Sequence, residues 1–331
     1  MMFIYHLLAI ATLVNSISHS HLHDDVKSFD KFMVDFNKTY ESYDVKDLAF
    51  ENFRSSLRRI NEHDYEKTGY KIGINQFADM SIGDFDNWKG DGCYNTLPTT
   101  KSCTLFKRQN DANIPSSMDW RDKNVVTPVK DQGQCGSCWA FSATGSIEGA
   151  WAIKTGELVS ISEQQLVDCS TSYGNQGCAG GLMDLAFEYV FDHGICTEDQ
   201  IPYTAKDGSC KECSNPTVKV TDCLDIQSGD QLALKEAVSN GPVSIAIEAD
   251  TLTFQLYTSG IISSTRCGTN LDHGVLIVGY GTEADGNMYW LVKNSWGAGW
   301  GDNGYVKIGR SESINDNGVC GIAMQPSMAL C

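Results

Sequence analysis

Hydrophobic and polar positions change rhythm several times along the chain. Phe3 to Val14 is an almost unbroken apolar run, interrupted mainly by His6 and Thr12 and followed by small residues at Ser16, Ser18 and Ser20. The run is too short to span a bilayer comfortably and sits where a signal peptide carries its apolar region, although no Lys or Arg precedes Lys27. A buried N-terminal helix is the competing reading. Residues 24–67 place Val26, Phe29, Phe32, Met33 and Phe36, then Phe50, Phe53, Leu57 and Ile60, at three- and four-residue spacing among charged residues, which predicts amphipathic helices. Tyr70, Ile72 and Ile74 alternate with other residues as in a short strand. Residues 90–113, with Gly-Asp-Gly, Pro98 and a Thr pair, read as an exposed linker where a protease would cut. Beyond Ile114 a cysteine-rich region with a long helix precedes short β-branched and aromatic runs at Val243–Ile247, Val275–Val278, Tyr289–Val292 and Tyr305–Ile308. A helical half followed by a strand half predicts an α+β unit whose halves enclose a cleft.

Charge narrows the function. The net charge is −17, which argues against a nucleic-acid binder, since that needs a basic face to meet phosphates. Residues 1–113 carry 13 basic and 16 acidic side chains, and residues 114–331 carry 12 and 26. The second part therefore repels itself less at pH 4–5, where carboxylates take up protons, and this permits an acidic compartment. Thirteen cysteines point to disulfides and the secretory route. No stretch beyond the N-terminal run is long and apolar enough for a membrane span.

The chemistry concentrates at Gln132-Gly133-Gln134-Cys135-Gly136-Ser137-Cys138-Trp139-Ala140-Phe141-Ser142. A helix is predicted to begin near Cys138 and to run to Lys154, with Gly156 as its stop. A thiol at a helix N-terminus meets unpaired N–H groups and the positive end of the dipole, and both favour the nucleophilic thiolate. Cys135-x-x-Cys138 also fits a redox pair, or half of a zinc site completed by Cys210-x-x-Cys213. The first needs a thioredoxin-like context, and the second needs four reduced thiolates. A nucleophile needs a base and an orienting group. Two histidines lie beyond residue 114: His193 reads as the end of a helix, and His273 stands at the entrance of a strand. His273 and then Asn294, in Asn294-Ser295-Trp296-Gly297, follow Cys138 by 135 and 156 residues.

These segments, from Asp119-Trp120-Arg121 through Gly297-Ala298-Gly299-Trp300-Gly301 to the Cys320 region, resemble the mature domain of the papain-like cysteine peptidases, closest to the cathepsin L-like branch. The resemblance implies a two-lobed fold: a helical left lobe, a β-barrel-like right lobe, and a cleft between them. It implies Cys138 as nucleophile paired with His273, Asn294 as orienter, Gln132 with the Cys138 N–H as oxyanion hole, and Trp296 covering the His–Asn bond. It places Leu182, Met183, Ala246, Leu271 and Gly274 at the pocket for the P2 side chain, with Gln325 closing it. Gly180, Gly181 and Asp272 also contact substrate. Bulky apolar P2 residues should be preferred and P2 Arg cleaved weakly, since Gln325 is neutral.

Upstream, Gly73-x-Asn75-x-Phe77-x-Asp79 matches the family's inhibitory propeptide. Its long-helix motif is altered: Phe53 and Ile60 fit, whereas Ser56, Asp64, Ala49 and Val45 replace Asn, Asn, Arg and Glu. The expected organisation is 1–18 signal peptide, 19–89 mainly helical inhibitory propeptide, 90–113 linker with the activation cleavage region, and 114–331 peptidase domain. The resemblance implies Cys135–Cys178, Cys169–Cys210 and Cys267–Cys320, while Cys93–Cys103 and Cys213–Cys223 are guesses from proximity. Asn37-Lys38-Thr39 is the glycosylation sequon. The reading is therefore a secreted or lysosomal (vacuolar) endopeptidase made as a zymogen, a monomer without metal or cofactor. Its partners are protein substrates, its own propeptide and protein inhibitors of papain-like enzymes. A catalytically silent peptide-binding homologue is the alternative.

Overall fold

The computed structural model describes residues 22–90, 92, 103–109, 114–211, 213–263 and 267–331. The expected signal peptide and Cys93 lie outside them. The chain divides into two compact units, one of residues up to His63 with Gly73–Ser81, the other of Asp64–Ile72 with Ile82–Cys331.

The first unit is built on helix α1 (22–35) and helix α2 (Tyr43–Glu62). Ser42 caps α2 by accepting from the Val45 N–H, leaving one fewer unpaired donor in the first turn. Phe29 and Phe32 of α1 are buried against Phe53, with ring centroids 5.3 and 4.9 Å away. The buried face of α2 is Ala49, Phe53 and Ser56 rather than Phe50, Phe53 and Leu57. Two of the altered motif positions thus carry small side chains that let the helix lie close to its neighbours. Asp79 accepts from Lys38 Nζ and Tyr40 Oη, each at 2.9 Å, tying the 73–81 segment to the turn after α1.

The second unit opens with α3 (Tyr65–Thr68), capped by Asp64, then β1 (Tyr70–Ile72) and α4 (Ile82–Lys89). After β2 (Thr104–Leu105) and β3 (Met118–Asp119) comes α5 (Cys138–Thr155), ended by Gly156 at φ 80°. Its residues from Cys138 to Gly149 are all buried, so it is enclosed on every side as a central helix must be. Helices α6 (Glu163–Cys169) and α7 (Met183–His193) flank it. The remaining elements are β4 (Asp222–Asp225), α8 (Gln231–Asn240), β5 (Val243–Ile247), α9 (Leu252–Gln255), β6 (Tyr257–Ile262), β7 (His273–Thr282), β8 (Met288–Lys293), β9 (Tyr305–Gly309) and β10 (Ser327–Leu330). The sheet order is β1-β6-β9-β8-β7-β5-β10-β4-β2, with β3 on β7. The strand runs predicted after residue 114 fall inside β5, β7, β8 and β9, the alternation at Tyr70, Ile72 and Ile74 is strand only as far as Ile72 in β1, and His193 ends α7 as expected.

Disulfides join Cys135–Cys178, Cys169–Cys210 and Cys267–Cys320. The two proximity guesses fail. Cys103 pairs with Cys223, and Cys213 with Cys196. The reason is sheet pairing: β2 lies parallel to β4, bringing the Cys103 and Cys223 Cα atoms to 4.9 Å across 120 residues. These bridges also exclude the zinc reading, because Cys135, Cys210 and Cys213 are each bound to another cysteine. Among the described residues no helix is long and apolar enough to cross a membrane.

Candidate active site

Cys138 is the first residue of α5 and remains a thiol outside any disulfide. The bend that delivers it is pinned by Cys135–Cys178 and by the Gly136 N–H, which donates to Cys178 O at 2.9 Å. A Cβ on Gly136 would stand 2.6 Å from that carbonyl oxygen, so only glycine fits. Strand β7 supplies the second component. Gly274 N–H donates to Cys138 Sγ at 3.1 Å, and His273, fully buried, opens the strand.

The imidazole is held on one side and unpartnered on the other. Its Nε2 is 2.8 Å from Asn294 Oδ1, and that oxygen also accepts the Ser295 N–H at 2.8 Å, which fixes the amide orientation. Trp296 stacks on the His273 ring with centroids 4.6 Å apart and keeps water from the His–Asn bond. Nδ1 of His273 is buried without a hydrogen-bond partner. It is therefore the nitrogen left to exchange a proton with a reacting group.

Gln132 completes the group. Its Oε1 accepts from Ser295 Oγ at 2.7 Å, which turns Nε2 the other way, toward the Cys135 and Lys89 carbonyl oxygens at 3.1 and 3.4 Å. Backbone bonds Gln132 N–H to Ser295 O (2.8 Å) and Gly297 N–H to Lys130 O (3.0 Å) zip the Gln132 arm to the Asn294–Trp296 arm. Both arms are anchored in one buried ion cluster. Lys130 Nζ meets Glu163 at 2.6 Å and Glu148 at 3.1 Å, and Lys293, next to Asn294, donates to Thr127 Oγ1 at 2.9 Å. Burial pushes the Glu163 carboxyl up, against the pull of Lys130, and the Lys293 ammonium down to about 8.

Of the residues expected at the substrate, Leu182, Met183 and Gln325 line one cavity of about 210 Å³ together with Asp184, Asp225 and Leu105. Burial, then the neighbouring Asp184, lifts Asp225 to about 7, so Asp225 carries no charge at pH 4–5. Ala246 and Leu271 are buried in the core cluster that also holds Cys138, Trp139 and Met183. Gly181 lies against the Trp139 ring and Asn175, where a Cβ would come within 2.6 Å. Gly180 is the turn before it, at φ 115°.

The site is covered by helix α4 and the residues just after it. Phe85 and Trp88 place their rings 5.3 and 6.1 Å from Trp296. The Lys89 side chain is fully buried and pairs with Asp272 at 3.2 Å and Asp86 at 3.4 Å. Gly92 lies on the thiol: a Cβ there would come 1.9 Å from Cys138 Sγ. Its carbonyl accepts the Gly181 N–H at 3.2 Å, a backbone contact of the kind a bound peptide makes. Sequence reasoning missed Ser295, Lys89, Gly92 and Leu105. Ser295 stands inside the quoted Asn-Ser-Trp segment, while the others lie in a region read as a linker or its edge.

Known proteins resemble the chain in sequence and fold. Residues 114–330 match the papain family cysteine protease model, and residues 29–85 match the cathepsin propeptide inhibitor domain. The chain is 47% identical to the thiol protease SEN102 of Hemerocallis, covering 86% of this chain and 80% of that protein. It is 42% identical to a Caenorhabditis elegans protein described as cathepsin L-like, covering 98% and 97%. The structure of digestive procathepsin L 3 of the Tenebrio molitor larval midgut superposes with a TM-score of 0.85 at 39% identity, covering 93% of this chain and 99% of that one.

Proposed function

Since the chain belongs to the papain family of cysteine proteases and carries the cathepsin propeptide inhibitor domain of a zymogen, we propose that Cys138 is its nucleophile and His273 its general acid and base. The observation that carries this is a thiol at a helix N-terminus beside a histidine whose Nε2 is committed to Asn294. The thiolate attacks the scissile carbonyl carbon, and the new oxyanion takes hydrogen bonds from Gln132 Nε2 and the Cys138 N–H. His273 gives its Nδ1 proton to the leaving nitrogen as the C–N bond breaks, leaving a thioester. Water, deprotonated by His273, then hydrolyses the thioester and restores the thiol.

The pocket of Leu182, Met183 and Gln325 favours bulky apolar P2 side chains, and the uncharged Asp225 keeps it so in acid. Activation follows removal of the residues that cover the thiol, and acidification promotes it. Burial raises the Asp272 carboxyl above the usual range even though Lys89 opposes this, so protonation of Asp272 favours the covered state, and the acid response rests instead on the 26 acidic against 12 basic residues after position 113, which take up protons at pH 4–5. The N-terminal apolar run, the disulfides and the exposed sequon Asn37 favour a glycosylated secretory protein destined for an acidic compartment or the exterior.

A thiol-directed epoxide tests the catalytic reading. After acid treatment the wild-type protein should lose peptidase activity with one label on Cys138, and Cys138→Ala should take none. Labelling elsewhere, or activity surviving in the variant, refutes Cys138 as nucleophile; an unlabelled, inactive protein would be the silent binder.

A further inference from the structure

Residues 103–109 were expected to be part of a disposable linker, yet they are built into the peptidase unit at several independent points. Cys103 is buried and bonded to Cys223. Strand β2 extends the sheet by pairing Thr104 with Leu224 and Leu105 with Asp225. Past the strand, the Phe106 N–H donates to Asp225 O at 2.8 Å and the Gln109 N–H to Glu236 Oε1 at 2.9 Å. Noncovalent strand addition alone could be reversed once the chain is cut, whereas the disulfide cannot be undone by hydrolysis of a peptide bond. The consequence holds for either side of the segment. A cut before Cys103 leaves 103–109 at the new N-terminus. A cut between 109 and 114 leaves the upstream chain joined to the enzyme through Cys103–Cys223, and a second cut before Cys103 reduces it to a short peptide that still carries 103–109.

This retained segment reaches the substrate pocket. Leu105 lines the same cavity as Leu182, Met183 and Gln325 and is half-exposed there, so its side chain has apolar surface left to cover. Its strand partner Asp225 and the next residue Ile226 line the cavity too, so β2 and β4 together make one wall. We propose that Leu105, although it precedes the peptidase domain, stays with the activated enzyme through Cys103–Cys223 and forms a wall of the P2 pocket, contacting bulky apolar P2 side chains. This rests on the P2 assignment made above. Removal of the segment would leave the pocket open along the β4 edge, where a P2 Leu or Phe would meet water instead of Leu105.

The test uses the full-length precursor, activated at pH 4–5 and kept free of reductant. Intact mass of the active enzyme should account for residues 103–109, as one chain or as a peptide released only by reduction. Active enzyme whose unreduced mass lacks them overturns the proposal. On peptides differing only at P2, Leu105→Ala should lower kcat/KM for Leu and Phe about fivefold while leaving P2 Ala unchanged. Met183→Ala serves as the control for the pocket. If Met183→Ala changes the P2 profile and Leu105→Ala does not, Leu105 has no such role and the pocket assignment stands. If neither changes it, the P2 assignment falls along with the proposal.

Discussion

Gln132 shows how much of a site lies in the groups that aim a side chain. Its donor can point to an oxyanion only while Ser295 holds the other end of the amide, because a reversed amide would present oxygen to a developing negative charge. Gln132→Ala should therefore lower kcat roughly 100-fold with little change in KM. Ser295→Ala should lower kcat less, and also without a matching rise in KM, because the amide survives but loses its orientation. Steady-state kinetics on one P2-Phe peptide separates these outcomes, and an unchanged kcat in Gln132→Ala removes it from the oxyanion hole. At this scale the sequence was informative where a residue sits within a dense local motif. Cys138, Asn294 and Trp296 could be picked out that way. Lys89 could not, because nothing about a lysine before Gly-Asp-Gly announces that its ammonium will be buried beside Asp272.

Among the elements, α4 and the residues after it occupy several functional positions at once. Phe85 and Trp88 cover Trp296, the Lys89 carbonyl engages the Gln132 amide, and Gly92 sits on the thiol. The Lys89 ammonium faces Asp272 and Asp86, with Asp250 completing the acidic group, and the Cys138 thiol also acts on it electrostatically. Loss of this ammonium leaves Asp272 buried and uncompensated, so Lys89→Met should weaken self-inhibition about tenfold at pH 7. Hydrolysis of a small peptide by uncleaved precursor measures this. An unaltered precursor rate at pH 7 would show that the ion pair does not hold the cover. Helices and strands with strong periodicity were legible at this scale, including the start and stop of α5. The face of α2 was displaced because Ala49 and Ser56 are small enough for close packing, a property that a count of apolar residues overlooks. Strand β2 is two residues long and depends on β4, more than 100 residues away, so no local pattern could reveal it or its disulfide.

For the molecule as a whole, buried acids link stability to pH. Asp225 titrates near 7 in the folded state, against 3.8 as its ordinary value, and Glu163 is raised in the same direction. Between those values the folded protein holds more protons than the unfolded chain, so stability falls as pH rises from about 4 to about 7. Lys293 has the opposite sign, but it is lowered only to about 8 and adds stability only between there and its ordinary value of 10.5. The 12 basic and 26 acidic residues after position 113 reinforce the acid preference through mutual repulsion at neutral pH. Cys138→Ala precursor, which cannot digest itself, should therefore melt higher at pH 5 than at pH 8. Adding Asp225→Asn isolates one group from the general charge effect. Asp225 is partly solvated, so its share is discounted to roughly 3 °C: the Asn variant should melt that much higher than its parent at pH 8 and by about a third as much at pH 5, where the titration window of Asp225 is only partly crossed. Equal melting of the two at both pH values would mean that Asp225 ionises freely, and the acid preference would then belong to the surface charge alone.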